Sequence, residues 1–409
     1  MGLFRRNKNT KKPIIRQIID LVPRYMLESC AKQHKSDKRC SKYKPYDQFL
    51  ALTYGQLNKC YTLGDISAGI GVSETFIEDL RLVKSPVRST MSDGNKKRNW
   101  QVHETLYYRL LKHFQRTLKN GNQRKIIQEI KDQSIKLIDS TTISLCLKMF
   151  DWAKFRTAKG GIKIHTSWDD HFQIPDLVNI TDAKTDDRYG LGQLIFLKGT
   201  IIVEDRAYFD FTLMLNRIHA ENVFVTRIKT NTTYETLEEL ILPKQKDQDI
   251  LKDEIITLIG TKAVTTKINE QKLRLVSVYK EDENKVIHII TNNLDWSART
   301  VADLYKKRWN IELFFKAMKQ NLQIKSFVGT SENAVKSQIY VSLICYLLVE
   351  LVNRVISKKA KSFINLVEKI RICLVFYLSL GYVCKQVSEG AKKIGKESEI
   401  IFKPDLFSV

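Results

Sequence analysis

The run SIKLIDST, residues 134–141, decides how the second half of this chain is read. Successive side chains of a strand alternate between faces, so Ile135, Leu137 and Asp139 share one face. An acid thus follows two apolar residues at the strand's C-terminal end. A carboxylate there is costly unless it meets solvent or a cation. The run TIIVED, residues 200–205, repeats the arrangement with Asp205. Two separate strands that finish in aspartate describe a site at the edge of an α/β sheet. Each alone is a weak signal, because strand-end aspartates are common turn formers.

Outward from these runs, strand-like segments alternate with polar breaks from Gln133 onward. TISLCLKMFDW (142–152), GGIKIHTSW (160–168) and IPDLVNITDA (174–183) follow the first run. A helix-like GLGQLIFLKG (190–199) leads to GTIIVEDRAYF (199–209), an apolar run suited to a central buried strand. This alternation predicts an α/β layered core. Residues 229–293, charged and strand-rich, read as an inserted β unit, and the chain is strongly helical from Ala298.

The stretch LYKKRWNIELFFKAMKQNL, residues 304–322, adds a third acid. At about 100° per residue, Arg308, Glu312 and Lys319 fall within roughly 60° of Tyr305 on one continuous helix. Leu304, Ile311, Phe315, Met318 and Leu322 form an adjacent apolar stripe. Lys306, Lys307, Asn310 and Asn321 are expected to face solvent, and Trp309 to be core. An ordinary i,i+4 ion pair between Arg308 and Glu312 accounts for two residues of this seam. It does not account for Tyr305 and Lys319.

The spacing Tyr305-x2-Arg308-x3-Glu312-x6-Lys319 resembles the YREK motif of bacterial insertion-sequence DDE transposases. LIDSTTI around Asp139 and VEDRAYFD around Asp205 are similar to that family's first and second acidic motifs. SLCLKMFDWAKFRTAKGGIKIHT and DLYKKRWNIELFFKAMKQNLQIKSFVGTSENAV resemble its members as well. The resemblance covers most of the chain from about Leu137, and the first 98 residues resemble the N-terminal domain often fused to it. It implies a ribonuclease H-like catalytic core interrupted by a β-rich insertion, with an N-terminal helical DNA-binding domain and a helical C-terminal region. It also implies Asp139, Asp205 and Glu312 as catalytic ligands of two Mg²⁺ or Mn²⁺ ions. Carboxylates are hard oxygen donors that suit such ions. Arg308 and Lys319 are implied as contacts to phosphates near the scissile bond, and Tyr305 to a phosphate or flanking base. The implied partners are double-stranded DNA, as terminal inverted repeats and as target, and a second copy of the chain. Arg206 is a candidate structural partner for a carboxylate, and His165 a satisfied core histidine in preference to a site residue.

The corresponding division is 1–98, N-terminal helical; 99–132, linker helix; 133–228, first part of the core; 229–293, insertion; 294–409, second part of the core and C-terminal helices. Within the first segment, TLGDISAGIGVSETFIEDLRL (62–82) has the pattern of a helix-turn-helix, with Thr62 and Ser73 as caps. Its second helix would present Glu74, Glu78 and Asp79, which phosphates repel. A second DNA-reading candidate is STMSDGNKKR (89–98), capped by Ser89 or Ser92, with Lys96, Lys97 and Arg98 for phosphates.

Composition agrees with a polyanionic partner. The 409 residues carry 68 Lys and Arg against 45 Asp and Glu, a formal net charge of +23. Such charge favours association with phosphate backbones. Hydrophobic content of 43% excludes disorder over most of the length. Seven widely spaced cysteines without a CxxC indicate neither a disulfide framework nor a zinc ribbon. The N-terminus lacks a secretory signal, and the apolar runs 339–352 and 372–380 are short of the ~20 residues that span a bilayer. They read as buried helices of a cytoplasmic, nucleoid-associated protein. A motor is disfavoured because no GxxxxGK[ST] loop occurs. The rival readings are a ribonuclease H-like nuclease without joining activity and an inactive DNA-binding derivative.

Overall fold

The computed structural model describes residues 10–38, 40–120, 127–145, 152, 154–156, 159–190, 196–242, 249–356 and 362–386. The chain opens with helices α1 (Ile14–Ile19), α2 (Arg24–Gln33), α3 (Pro45–Leu57), α4 (Leu63–Ile70), α5 (Glu74–Asp79), α6 (Arg88–Lys97) and α7 (Gln101–Asn120). Thr62 starts α4 as expected. Its hydroxyl accepts from the Asp65 N–H at 3.0 Å, and the Asp65 carboxylate accepts from the Thr62 N–H at 2.9 Å. Ser73 Oγ likewise accepts from the Phe76 N–H at the head of α5. Neither Ser89 nor Ser92 caps α6. Val87, extended after Pro86, precedes the helix, so both serines lie inside it.

Then come β1 (Ile135–Leu145), β2 (Lys154–Arg156), β3 (Lys159–Asp169), β4 (Ile174–Asp182), α8 (Asp187–Gly190), β5 (Ile201–Glu204), α9 (Phe211–His219) and β6 (Val223–Arg227). The inserted stretch holds β7 (Tyr234–Glu239), β8 (Ile250–Leu258), α10 (Thr261–Thr266), β9 (Leu273–Lys280) and β10 (Lys285–Thr291). Helices α11 (Ala298–Lys307), α12 (Trp309–Asn321), α13 (Glu332–Ile356), α14 (Phe363–Ile372) and α15 (Leu380–Gln386) follow.

One ten-stranded sheet organises the strands, in the order β2-β3-β1-β5-β6-β10-β9-β8-β7, with β4 also paired to β3. β1 is antiparallel to β3, and β3 to β4. β1, β5 and β6 run parallel. Ile201, Ile202 and Val203 are fully buried, as an apolar strand covered on both faces must be. Gly199, at φ 77°, makes the turn into β5. The inserted strands extend this sheet, since β10 pairs antiparallel with β6. The sequence break read after Thr141 is absent. The β-tolerant Ser140, Thr141 and Thr142 carry β1 on to Leu145. Residues 146–151 and 191–195, which held much of two expected elements, lie outside the described residues.

A single apolar cluster runs from Ile14 through β1, β3 and β4 to α11–α15. The α13 helix is long and apolar enough to cross a membrane by length and composition, but most of it is buried in this cluster against α7, α3 and α6. It is longer than the apolar run alone suggests. The expected buried helix over residues 372–380 is instead the turn between α14 and α15, and Ile372 and Phe376 are exposed.

Rings clamp α12 to the sheet. Phe314 lies 5.3 Å from Trp168 of β3 and 5.1 Å from Tyr346 of α13, centroid to centroid. On the other side of the fold, buried Arg274 pairs with Asp253 at 2.6 Å and donates to the carbonyls of Leu294 and Trp296 just before α11. Phe314→Ala should therefore cost about 3–5 kcal/mol in chemical denaturation. A loss below about 1 kcal/mol would mean that α12 is held by something other than these rings.

Candidate active site

Strand register brings the two aspartates together. On parallel β1 and β5, Leu137 stands opposite Val203 and Ile138 opposite Glu204. Continued by one residue, that register sets Asp139 beside Asp205 on the same side of the sheet. Asp139 Oδ1 accepts from the Ser140 N–H at 2.8 Å. The Asp205 carbonyl accepts from Thr226 Oγ1 at 3.2 Å, which fixes the chain as it leaves the sheet.

Glu312 arrives on α12, which packs against β1. The expected single helix is two, α11 and α12, joined at Arg308. Arg308 keeps right-handed dihedrals, so the seam survives the break. Its Nη1 lies 2.5 Å from Glu312 Oε1 and 3.9 Å from Asp139 Oδ2. Its guanidinium also stands 5.6 Å over the Tyr305 ring. Asp205 is close enough for its charge to act on Asp139, Arg308 and Tyr305. Lys319, half-buried one turn and more beyond Glu312, feels the charge of Asp139. The three acids, Arg308, Tyr305 and Lys319 are therefore within reach of one another's charge.

Electrostatics there is strained in a directed way. Burial, with the charges of Asp205 and Glu312, pushes the Asp139 carboxyl up to about 7 against the pull of the Ser140 N–H and Arg308. Burial works against the charge of Arg308, yet Tyr305, Asp205 and Glu312 together hold its pKa above the ordinary value. Burial first, then Lys325, lowers Lys319 while Asp139 opposes them. Among the described residues no group of three His, Cys, Asp or Glu stands close enough to hold a metal ion. In this arrangement the Arg308 guanidinium offsets the charge of Asp139 and Glu312. The donor set is nonetheless the hard carboxylate type that divalent ions take, and a buried carboxyl pushed up by two neighbouring acids favours added positive charge.

Several expected positions differ. Tyr305 is 5% exposed beneath Arg308, so a direct contact with DNA is closed to its ring. Trp309, expected in the core, is 59% exposed, since it lies on the side of the helix away from the apolar stripe. Asn321 is buried, and Lys307 pairs with Asp170 at 2.6 Å instead of facing solvent. Arg206 is exposed; the carboxylate pair beside Asp205 is Glu204 with Arg217, both buried at 3.5 Å. His165 is fully buried, bonded to Thr181 at 2.9 Å, and burial lowers its pKa to about 4. Lys96 and Lys97 are exposed on α6, far along the chain from the acids, and Arg98 is turned inward over Tyr43.

Sequence reading missed Asp187. Ser140 Oγ donates to its carboxylate, Lys163 pairs with it at 3.2 Å, and its charge acts on the same Tyr208 as that of Asp139. Its acid-rich turn, DAKTDD, carries no periodicity that could have marked it.

A raised carboxyl pKa has a definite sign. The folded chain holds the Asp139 proton more tightly than an unfolded chain with a pKa near ~3.9 does. The stabilisation is complete below about 4 and is lost as pH rises through about 7. Metal-free Asp139→Asn should thus melt above the parent at pH near ~8, by an amount that shrinks toward pH ~4. Parallel melting curves for the two proteins across that range would refute the shift.

Residues 130–348 match the family described as Transposase DDE domain, and residues 10–75 match a domain of unknown function, DUF4372. A protein named as a probable transposase for an insertion sequence element of Geobacillus stearothermophilus is 29% identical over 215 residues, 52% of this chain and 55% of that protein. One from Sinorhizobium fredii, also named as a transposase, is 32% identical over 222 residues, 54% of this chain and 61% of its own length. A third, named for an insertion sequence element of Synechocystis sp., is 27% identical over 310 residues, 73% of this chain and 79% of its own. The chain spans between half and two thirds of the length of the first two relatives. With more than half of its residues matched, the chain belongs to the Transposase DDE domain family.

Proposed function

We propose that this chain is a DNA transposase. It binds the terminal inverted repeats of an insertion sequence and carries out metal-dependent strand cleavage and strand transfer. The observation that carries the reading is the sharing of Arg308 by Asp139 and Glu312, with Asp205 beside them at the end of the central strands. The strand order β4-β3-β1-β5-β6, three antiparallel and then two parallel, supports a ribonuclease H-like core.

In this reading Asp139, Asp205 and Glu312 would hold two Mg²⁺ or Mn²⁺ ions. When bound, such ions activate the attacking oxygen and stabilise the leaving one. Water attacks phosphorus at the element's end and the bond to the 3′-oxygen breaks, freeing a 3′-hydroxyl. That hydroxyl then attacks a phosphodiester of the target, so one bond forms for each that breaks. Positioning dominates such chemistry, since phosphoryl transfer needs little covalent help.

Arg308 contributes an oriented fork of donors. Freed from neutralising the acids, its guanidinium suits a phosphate of the bound strand. Tyr305 holds it from below. Lys319 adds positive charge on the same side, where Asp139 favours its charged form against the cost of partial burial. Trp309 gives an exposed indole one residue from Arg308, a surface on which an unpaired base can stack. Two element ends must be handled together, which calls for a homodimer on DNA.

The test is cleavage and joining of DNA that carries the element's own ends, with Mg²⁺ or Mn²⁺ supplied. Asp139→Asn, Asp205→Asn and Glu312→Gln should each reduce cutting to background with DNA affinity retained. Lys319→Ala should slow it by roughly a hundredfold. Full cutting by any of the three acid variants removes the assignment, and cutting without joined product converts it to a nuclease.

A further inference from the structure

The N-terminal helices form a cleft of about 810 Å³ that the active site does not use. One wall is the stretch after α2, residues 34–38 and 40–43, and the other is the face of α6. Lys35, Lys38 and Lys42 come from this stretch, and Lys97 and Arg98 from the end of α6. The acid in this lining is Asp93, already paired with Lys97 at 2.8 Å. The three lysines of this stretch are exposed, and none pairs with a carboxylate among the described residues. Hydroxyls of Ser41, Ser89 and Thr90 complete the wall.

Arg98 shapes the cleft from within. It is 93% buried (7% exposed), stacks over Tyr43 at 4.9 Å and donates to Gln48 Oε1 at 3.2 Å. Its Nε and the Tyr43 hydroxyl are buried without a hydrogen-bond partner among the described residues. Gathering like charges in a concavity costs self-repulsion, and a low-dielectric wall focuses the resulting field on whatever enters. Orphaned buried donors beside that concavity point the same way, to an absent anionic partner.

We infer that this cleft binds the phosphate backbone of duplex DNA. The inference rests on the transposase reading and adds to it the surface where the N-terminal helices grip the DNA. Lysines on a turn are mobile point charges that neutralise phosphates without reading bases. The competing surface, α5, presents Glu74 and Glu78 to solvent, and Asp79 accepts from the Tyr377 hydroxyl at 2.6 Å. An acidic face repels the backbone that the cleft attracts.

The experiment is anisotropy binding of a labelled duplex bearing an element end to the full chain, without divalent metal, across a salt series. Each neutralised phosphate contributes about 0.9 to the slope of log Kobs against log salt. Combined Lys38→Gln, Lys42→Gln and Lys97→Gln should lower that slope by about 2–3 and the affinity near ~0.1 M salt by roughly tenfold or more. Lys38→Arg, Lys42→Arg and Lys97→Arg together keep the charge and should bind as the parent does. An unchanged slope in the Gln variant, with the parent binding, overturns the cleft and leaves the transposase reading standing. Equal loss in the Arg variant overturns it too, since charge would not be the cause. A parent that binds no duplex overturns both. Calorimetry with inorganic phosphate separates the remaining source: phosphate binding lost in the Gln variant with no change in DNA slope means a small-anion site and defeats the proposal.

Discussion

Three carboxylates cannot be brought together beside one sheet without a positive charge among them. In this chain that charge is Arg308, and the rest of the site is arranged so that it stays there. Register between β1 and β5 brings Asp139 to Asp205, and the Arg308 turn hands Glu312 to the same place. Tyr305 lies beneath the guanidinium and blocks its retreat into the core. The Asp139 carboxyl, pushed up to about 7, measures what burial and the remaining repulsion still cost. A site of this kind is already biased toward adding cations, which the proposed chemistry needs.

Precision at that site depends on packing some distance away. The α12 helix is anchored by Phe314 between Trp168 and Tyr346, which packs the acid-bearing helix against both the sheet and α13. Arg274 and Asp253 tie the inserted strands to the start of α11. The N-terminal helices share the same apolar cluster through α13, which contacts α3, α6 and α7. DNA held in the cleft beside α6 would thereby be held at a set distance from the acids. Such rigidity is the structural counterpart of a reaction governed by positioning.

The misreadings have identifiable physical causes. Trp309 was read as core from its residue type, although its place about the helix axis, well away from the apolar stripe, already faces it outward. Apolar composition alone marked residues 372–380 as a buried helix, although a turn between two short helices exposes Ile372 and Phe376. Ser89 and Ser92 have good capping chemistry, but chain entry after Pro86 decides where α6 begins. Asp187 was invisible because its partners, Ser140 and Lys163, come from other strands.

Read alone, the chain disclosed what depends on local order. Alternation within residues 200–205 placed Asp205 at the end of its strand, whereas Asp139 lies within β1, which continues to Leu145; the spacing of Tyr305, Arg308, Glu312 and Lys319 put them on one seam. Capping chemistry located the starts of α4 and α5. Tertiary structure alone decided which groups meet: Asp139 with Asp205 through parallel register, Arg308 between Asp139 and Glu312, Lys307 with Asp170, and the lysines of residues 34–43 with those of α6. The reason is that periodicity reports the direction of a side chain about its own axis. Charge neutralisation and burial depend on distances between axes, and those are set only when the apolar core closes.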